Sequence, residues 1–173
     1  YTIEGQNLAP PVNREQAEPA MVWDTGHRFT NQPSIWVDEN DEPSFMLPVT
    51  GETPWDCQFT YVRRDGAAWA KTPVARTNST WSGCMLRGAG DGALRAYCAC
   101  GKDDGELRAY GGGDMEIWTS RDAGSTWTMD GKLDPEPGLL YNNPRPAERA
   151  DGTVDDDFLL FFGWEGPLSL QQD

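Results

Sequence analysis

The chain has one histidine, His27, and so one side chain whose ordinary titration lies near neutral pH. Tyr61 and Arg63 stand two apart in Gln58-Phe59-Thr60-Tyr61-Val62-Arg63, a run of aromatic and β-branched residues. In an extended strand that spacing puts both side chains on one face. Arg95 and Tyr97 repeat the arrangement, with Arg87 upstream. An arginine pairs a carboxylate in bidentate fashion, and a neutral histidine or a tyrosine takes up or hands on a proton. His27, Tyr61, Arg63 and Arg95 are therefore the candidates for proton transfer beside a bound carboxylate. The same pairs also read as cross-strand neighbours on a solvated sheet face, and His27 as an ordinary surface or capping histidine. Asn142, Asn143 and Arg145 offer donors and acceptors to sugar hydroxyls, and Trp55 and Tyr97 offer flat apolar rings for stacking.

Charge and composition narrow the partners. Acidic residues outnumber basic ones 28 to 14, a formal charge of −14. A field of that sign repels nucleic acid and anionic membrane surfaces. No apolar run approaches the ~18 residues of a membrane span. Cys57, Cys84, Cys98 and Cys100 allow one or two disulfides, buried free thiols or, against the usual paired spacing, a zinc site. Asp151-Gly152-Thr153-Val154-Asp155-Asp156-Asp157 reads as a solvated acidic turn or a structural Ca²⁺ loop; it lacks EF-hand spacing. No other cofactor or metal is expected. Asn78-Ser79-Thr80 is a glycosylation sequon. The chain starts at Tyr1 rather than Met, which reads as a mature or truncated start and agrees with secretion to an extracellular or periplasmic space.

The elements that must position these groups are short and extended. With 19 Gly and 13 Pro, tight turns dominate, and no long amphipathic helix is found. Residues 1–25 read as an arm or connecting segment, and 26–173 as strands separated by turn signals. Strand patterns at Ser34–Asp38, Ser44–Val49, Gln58–Arg64 and Trp69–Ala75 make one four-stranded unit over 34–76. Cys84–Arg87, Ala93–Cys100, Met115–Ser120 and Thr126–Asp130 make a second over 79–133. A third, over 139–173, contains Phe158-Leu159-Leu160-Phe161-Phe162 and is cut short. The size of the units predicts an all-β chain of four-stranded antiparallel propeller blades, about two and a half of them. Such sheets bury their faces against neighbours, so a second chain or segment would complete the ring. A compact β-sandwich is the competing architecture.

One motif is specific. Ser120-Arg121-Asp122-Ala123-Gly124-Ser125-Thr126-Trp127 fits Ser-x-Asp-x-Gly-x-Thr-Trp. It resembles the Asp box, the repeat of sialidase-like propellers. Asp122 can accept backbone N–H groups across the turn, Gly124 can take a positive φ, and Trp127 can tuck between sheets. The role implied for Ser120, Asp122, Gly124, Thr126 and Trp127 is structural. Asp65-Gly66-Ala67-Ala68-Trp69 is a degenerate echo one unit earlier. The wider order from Gly26 to Gly163 is similar to Asp-box polysaccharide lyases of the ulvan lyase kind. That resemblance implies β-elimination on a uronate polymer, with His27 as base or ligand, Tyr61 as proton donor or acceptor, and Arg63 or Arg95 as carboxylate clamp. Relatives of that kind use more than one histidine; this chain has none at Trp55-Asp56-Cys57-Gln58, where another would fall. A non-catalytic carbohydrate-binding propeller and a sialidase-like hydrolase are the alternatives, although the Arg-Ile-Pro signature of sialidases is absent.

Overall fold

The computed structural model describes residues 11–101, 111–137, 139–150 and 154–165. They form an all-β chain of antiparallel sheets. The first sheet holds β1 (Ser34–Val37), β2 (Pro43–Thr50), β3 (Cys57–Asp65) and β4 (Ala68–Thr77), paired in chain order. The second repeats that meander with β5 (Cys84–Gly88), β6 (Leu94–Cys100), β7 (Asp114–Ser120) and β8 (Thr128–Leu133). The third pairs β9 (Leu139–Glu148) with β10 (Val154–Glu165). The N-terminal arm has more order than its composition predicts. Asn13 and Gln16 cap each other's backbone N–H groups, at 2.9 and 3.0 Å, and start the single turn α1 (Arg14–Ala17).

The first hairpins of the two full sheets are the same turn built from different residues. Asp38 N–H donates to the Glu42 carbonyl and Asp41 N–H to that of Asp38. Ala89 and Gly92 repeat both bonds with Ala93 and Ala89. Asp41 and Gly92 take the one positive φ required, +60° and +78°. Asp41 holds it because the Asp38 carboxylate accepts from Asn40 and Glu42 N–H, at 2.8 and 2.9 Å, and fixes the turn. The last pairs before the turns are Val37 with Pro43, Gly88 with Leu94, and Glu148 with Val154. Counting back from these pairs, Asn31, Ser82 and Asn142 occupy one position of the repeat, and Ile35 and Leu86 another.

Alternation sends one face of each strand into the gap between sheets. Met46, Phe59 and Tyr61 of the first sheet meet Leu86, Ala96, Cys98 and Cys100 of the second. On its other face the second sheet buries Met85, Tyr97, Ala99 and Met115 against Tyr141, Leu159 and Phe161 of the third. Each large apolar side chain buried this way contributes about 1.5–3 kcal/mol. The first strands of the sheets are neighbours: β1 touches β5, and β5 touches β9.

The structure narrows two sequence features. Asn78 of the sequon is 4% exposed, so a glycan could not be carried there in the folded chain. All four cysteines are buried and free. Among the described residues, no helix is long and apolar enough to cross a membrane, and no group of three or more His, Cys, Asp or Glu is placed to hold a metal. Residues 151–153 of the acidic turn lie outside the described residues. Asp155, which follows them, pairs with Arg149 at 2.9 Å.

Candidate functional site

Where the leading ends of the three sheets converge, they enclose a cavity of about 570 Å³. Its wall is the same stretch of each repeat: Asn31, Gln32 and Pro33 ahead of β1, Ser82, Gly83 and Cys84 at the start of β5, and Asn142, Asn143 and Arg145 on β9. Trp81 and Phe162 complete it, 61% and 50% exposed. Among the described residues no carboxylate lines this cavity, although the chain carries 28 acidic residues. The one charged residue among the described wall residues is Arg145, an exposed guanidinium. The arrangement offers a flat indole, amide donors and acceptors, and one cation with no carboxylate beside it among the described wall residues.

The wall is held by Asn142, which is 2% exposed. Its Oδ1 accepts from Gly83 N–H at 2.6 Å and Asn143 N–H at 2.8 Å, and its Nδ2 donates to the Trp81 carbonyl at 3.3 Å. The side chain thus ties β9 to the segment ahead of β5. Its polar atoms are engaged by the protein, so the expected sugar contact at Asn142 becomes a brace. Asn143 beside it adopts a positive φ of +47° and lines the cavity. The set Asn142, Asn143 and Arg145 is therefore brought together in the wall, with the Asn142 amide engaged by the protein itself.

The residues expected to act beside a carboxylate are not gathered at one site; only Tyr61 and Arg63 share a cleft. Tyr61 is 3% exposed and faces the second sheet, where its ring meets Trp127 edge-on at 5.3 Å. Burial pushes its phenol pKa up. Arg63 is half-buried, and with Tyr61 it lines a second cleft of about 860 Å³ among the hairpin turns. Arg95 pairs with Asp91 at 3.7 Å. Tyr97 is 7% exposed, packs toward the third sheet, and bonds Arg87 through its hydroxyl at 2.8 Å. That burial removes it as a stacking platform. His27 is exposed, on the segment that Phe29 ties to Thr50 at the far end of β2. Trp55 is 49% exposed in the loop between β2 and β3. None of His27, Tyr61, Arg63, Arg95 and Trp55 lines the first cavity.

Residues Ser120–Trp127 form a closed hydrogen-bonded turn between β7 and β8. Asp122 accepts from Thr126 N–H at 2.8 Å, Thr126 Oγ1 at 2.6 Å and Ser120 Oγ at 2.8 Å. Those bonds lower its carboxyl pKa to about 2. Gly124 N–H donates to Ser120 Oγ at 2.8 Å, and Trp127 Nε1 donates to the Gly124 carbonyl at 3.2 Å. Gly124 has φ +84°, and a Cβ there would collide with the Tyr61 ring. The turn is thereby seated on the first sheet.

Sequence reasoning missed Asn31, Gln32 and Trp81. The signal was the echo of Asn31-Gln32-Pro33, ahead of β1, in Asn142-Asn143-Pro144, inside β9. No family model matches the chain, and no curated protein matches it.

Proposed function

We propose that the chain is part of an Asp-box β-propeller that engages a uronate-containing polysaccharide at the axial cavity. Three observations support the propeller reading: sequential four-stranded meanders stacked face to face, first strands that neighbour one another, and a hydrogen-bonded Asp box seated on the preceding sheet. Exposed Ile35 and Val37 on one terminal sheet, and Leu160 and Phe162 on the other, agree with further sheets, from this polypeptide or a second chain, completing the ring. The observation that carries the ligand assignment is the cavity itself, with Trp81 to stack a pyranose ring, Asn31, Gln32 and Asn143 for its hydroxyls, and Arg145 for its carboxylate.

In the lyase form of this reading, Arg145 neutralises the uronate carboxylate, which acidifies the proton α to it, and a base removes that proton as the glycosidic oxygen departs. The described wall contains no histidine or tyrosine, so the base comes from elsewhere in the assembly. The wall by itself supports holding the sugar more directly than cutting it. A polysaccharide-binding propeller is therefore the reading that needs nothing further.

Titrating alginate, ulvan and glycosaminoglycans against the protein, while following the ultraviolet absorbance of unsaturated uronate, separates these forms. Binding is expected, and Arg145→Ala or Trp81→Ala should weaken it about tenfold to a hundredfold, the range for one charge-assisted bond or stacking contact. Absorbance growth would establish the lyase, and binding without it the non-catalytic form. Binding that neither substitution weakens would remove the ligand from this cavity.

A further inference from the structure

The buried thiols of the second sheet are arranged in a way that the sugar site does not use. Cys84 on β5 and Cys98 on β6 are direct cross-strand partners. The hydrogen-bonded positions on either side identify the kind of pair they make. Ala99 N–H donates to the Gly83 carbonyl at 3.0 Å, and Ala89 N–H to the Ala93 carbonyl at 2.7 Å, so those residues occupy hydrogen-bonded pairs. Alternation along the ladder makes Cys84 and Cys98 a non-hydrogen-bonded pair, whose Cα atoms stand about 4.5 Å apart. That is within the roughly 4.4–6.8 Å span that disulfides bridge. Both side chains point into the same core layer, between the first and second sheets.

From this geometry we infer that Cys84 and Cys98 form a disulfide when the chain folds in an oxidising compartment. The other pairings are poorer. Cys98 and Cys100 are two apart on one strand, about 6.7 Å between Cα atoms, with parallel side chains. Cys57 lies at the far end of β3 and donates its thiol hydrogen to the Pro54 carbonyl at 3.1 Å. Timing matters, because once the sheets have packed, Cys84 and Cys98 are closed off and burial pushes the Cys84 thiol up to about 12. Their partnership is local: a single hairpin joins β5 to β6 and brings the two sulfurs together before the neighbouring sheets cover them.

The chemistry is thiol–disulfide exchange with a disulfide donor, a small disulfide or an oxidoreductase. One thiolate attacks the donor disulfide and releases a thiol. The second cysteine then displaces the donor from the mixed disulfide. Two S–H bonds are lost, one S–S bond forms, and the donor leaves as two thiols. Cys84 gives up its hydrogen bond to the Met46 carbonyl, 3.2 Å in the reduced chain. Because Cys84 also lines the axial cavity, the cross-link would brace the wall that Asn142 holds from the other side.

The test is to produce the chain with export to an oxidising compartment, quench it in acid, denature it, and alkylate free thiols before intact-mass and peptide analysis. The expected result is alkylation at Cys57 and Cys100 only, a linked peptide pair containing Cys84 and Cys98, and a melting temperature that falls when the bond is reduced. The variant C57S/C100S keeps the pair and should give no alkylation at all. Should the exported chain misfold, refolding C57S/C100S with oxidised and reduced glutathione gives the same readout. Alkylation at all four positions, or a link between any other two cysteines, would overturn the inference.

Discussion

Asp122 shows how a charged side chain can be fixed by its surroundings and still remain outside any chemistry. Its carboxylate accepts from Thr126 twice and from Ser120, and those bonds hold its pKa near 2, below the roughly 3.9 of an unfolded aspartate. The folded state therefore binds this proton more weakly than the unfolded state does. The stabilisation is complete above about pH 4 and is lost as pH falls through the folded value near 2. Asp122→Ala should accordingly melt several degrees below the parent at neutral pH, and the gap should close between about pH 4 and 2. Melting curves across that window test it; a gap independent of pH would show that the carboxylate's charge plays no part. The motif's spacing disclosed this role because every partner lies within four residues. It did not disclose the fate of Tyr61 or Tyr97. The strand period places a side chain on a face, but which neighbouring sheet covers that face is set by residues far along the chain. The bracing role of Asn142 was hidden for the same reason, since its partners Gly83 and Trp81 belong to the previous repeat.

Hairpins carried most of the fold's signal in the sequence. The expected strand at Gln58–Arg64 is β3 with one residue more at each end, and Cys84–Arg87 is β5 with Gly88 added. Alternation and turn residues are local, so these elements could be read directly. The equivalence of the Asp41 and Gly92 turns was hidden because different residues meet the same positive φ. Two glycines show the difference between local demand and packing demand. Both Gly66 and Gly124 have positive φ, +59° and +84°, yet a Cβ on Gly66 meets nothing within 4 Å, while one on Gly124 meets the Tyr61 ring. Gly66→Ala should cost about 1–2 kcal/mol, the left-handed backbone penalty by itself. Gly124→Ala carries that penalty and must also displace a buried aromatic ring, so its cost should exceed the first by about 1–3 kcal/mol. Denaturant melts of the two variants give the comparison directly. Equal costs would mean that the turn between β7 and β8 is not pressed against the first sheet.

At the scale of the whole molecule, the sheets differ in what covers them. Leu86 and Ile35 hold the same position of the repeat, on the face turned toward the preceding sheet, yet Leu86 is 3% exposed and Ile35 57%. The first sheet covers Leu86; no described residue covers Ile35 to a comparable degree. Leu86→Ala should therefore cost about 2–5 kcal/mol in this chain, the range for a buried leucine that leaves a cavity. Ile35→Ala should fall within about 0.5–1 kcal/mol of the parent, as exposed substitutions do. The propeller reading sharpens the second number. In any form of the protein that packs another sheet ahead of β1, Ile35 would be enclosed as Leu86 is, and its truncation should rise into the leucine range. Urea melts of Ile35→Ala in the present chain, and in a form carrying such a sheet, measure that rise. A cost that stays small when the sheet is present would mean that the face is finished as it stands, and the stack of sheets would then begin at β1.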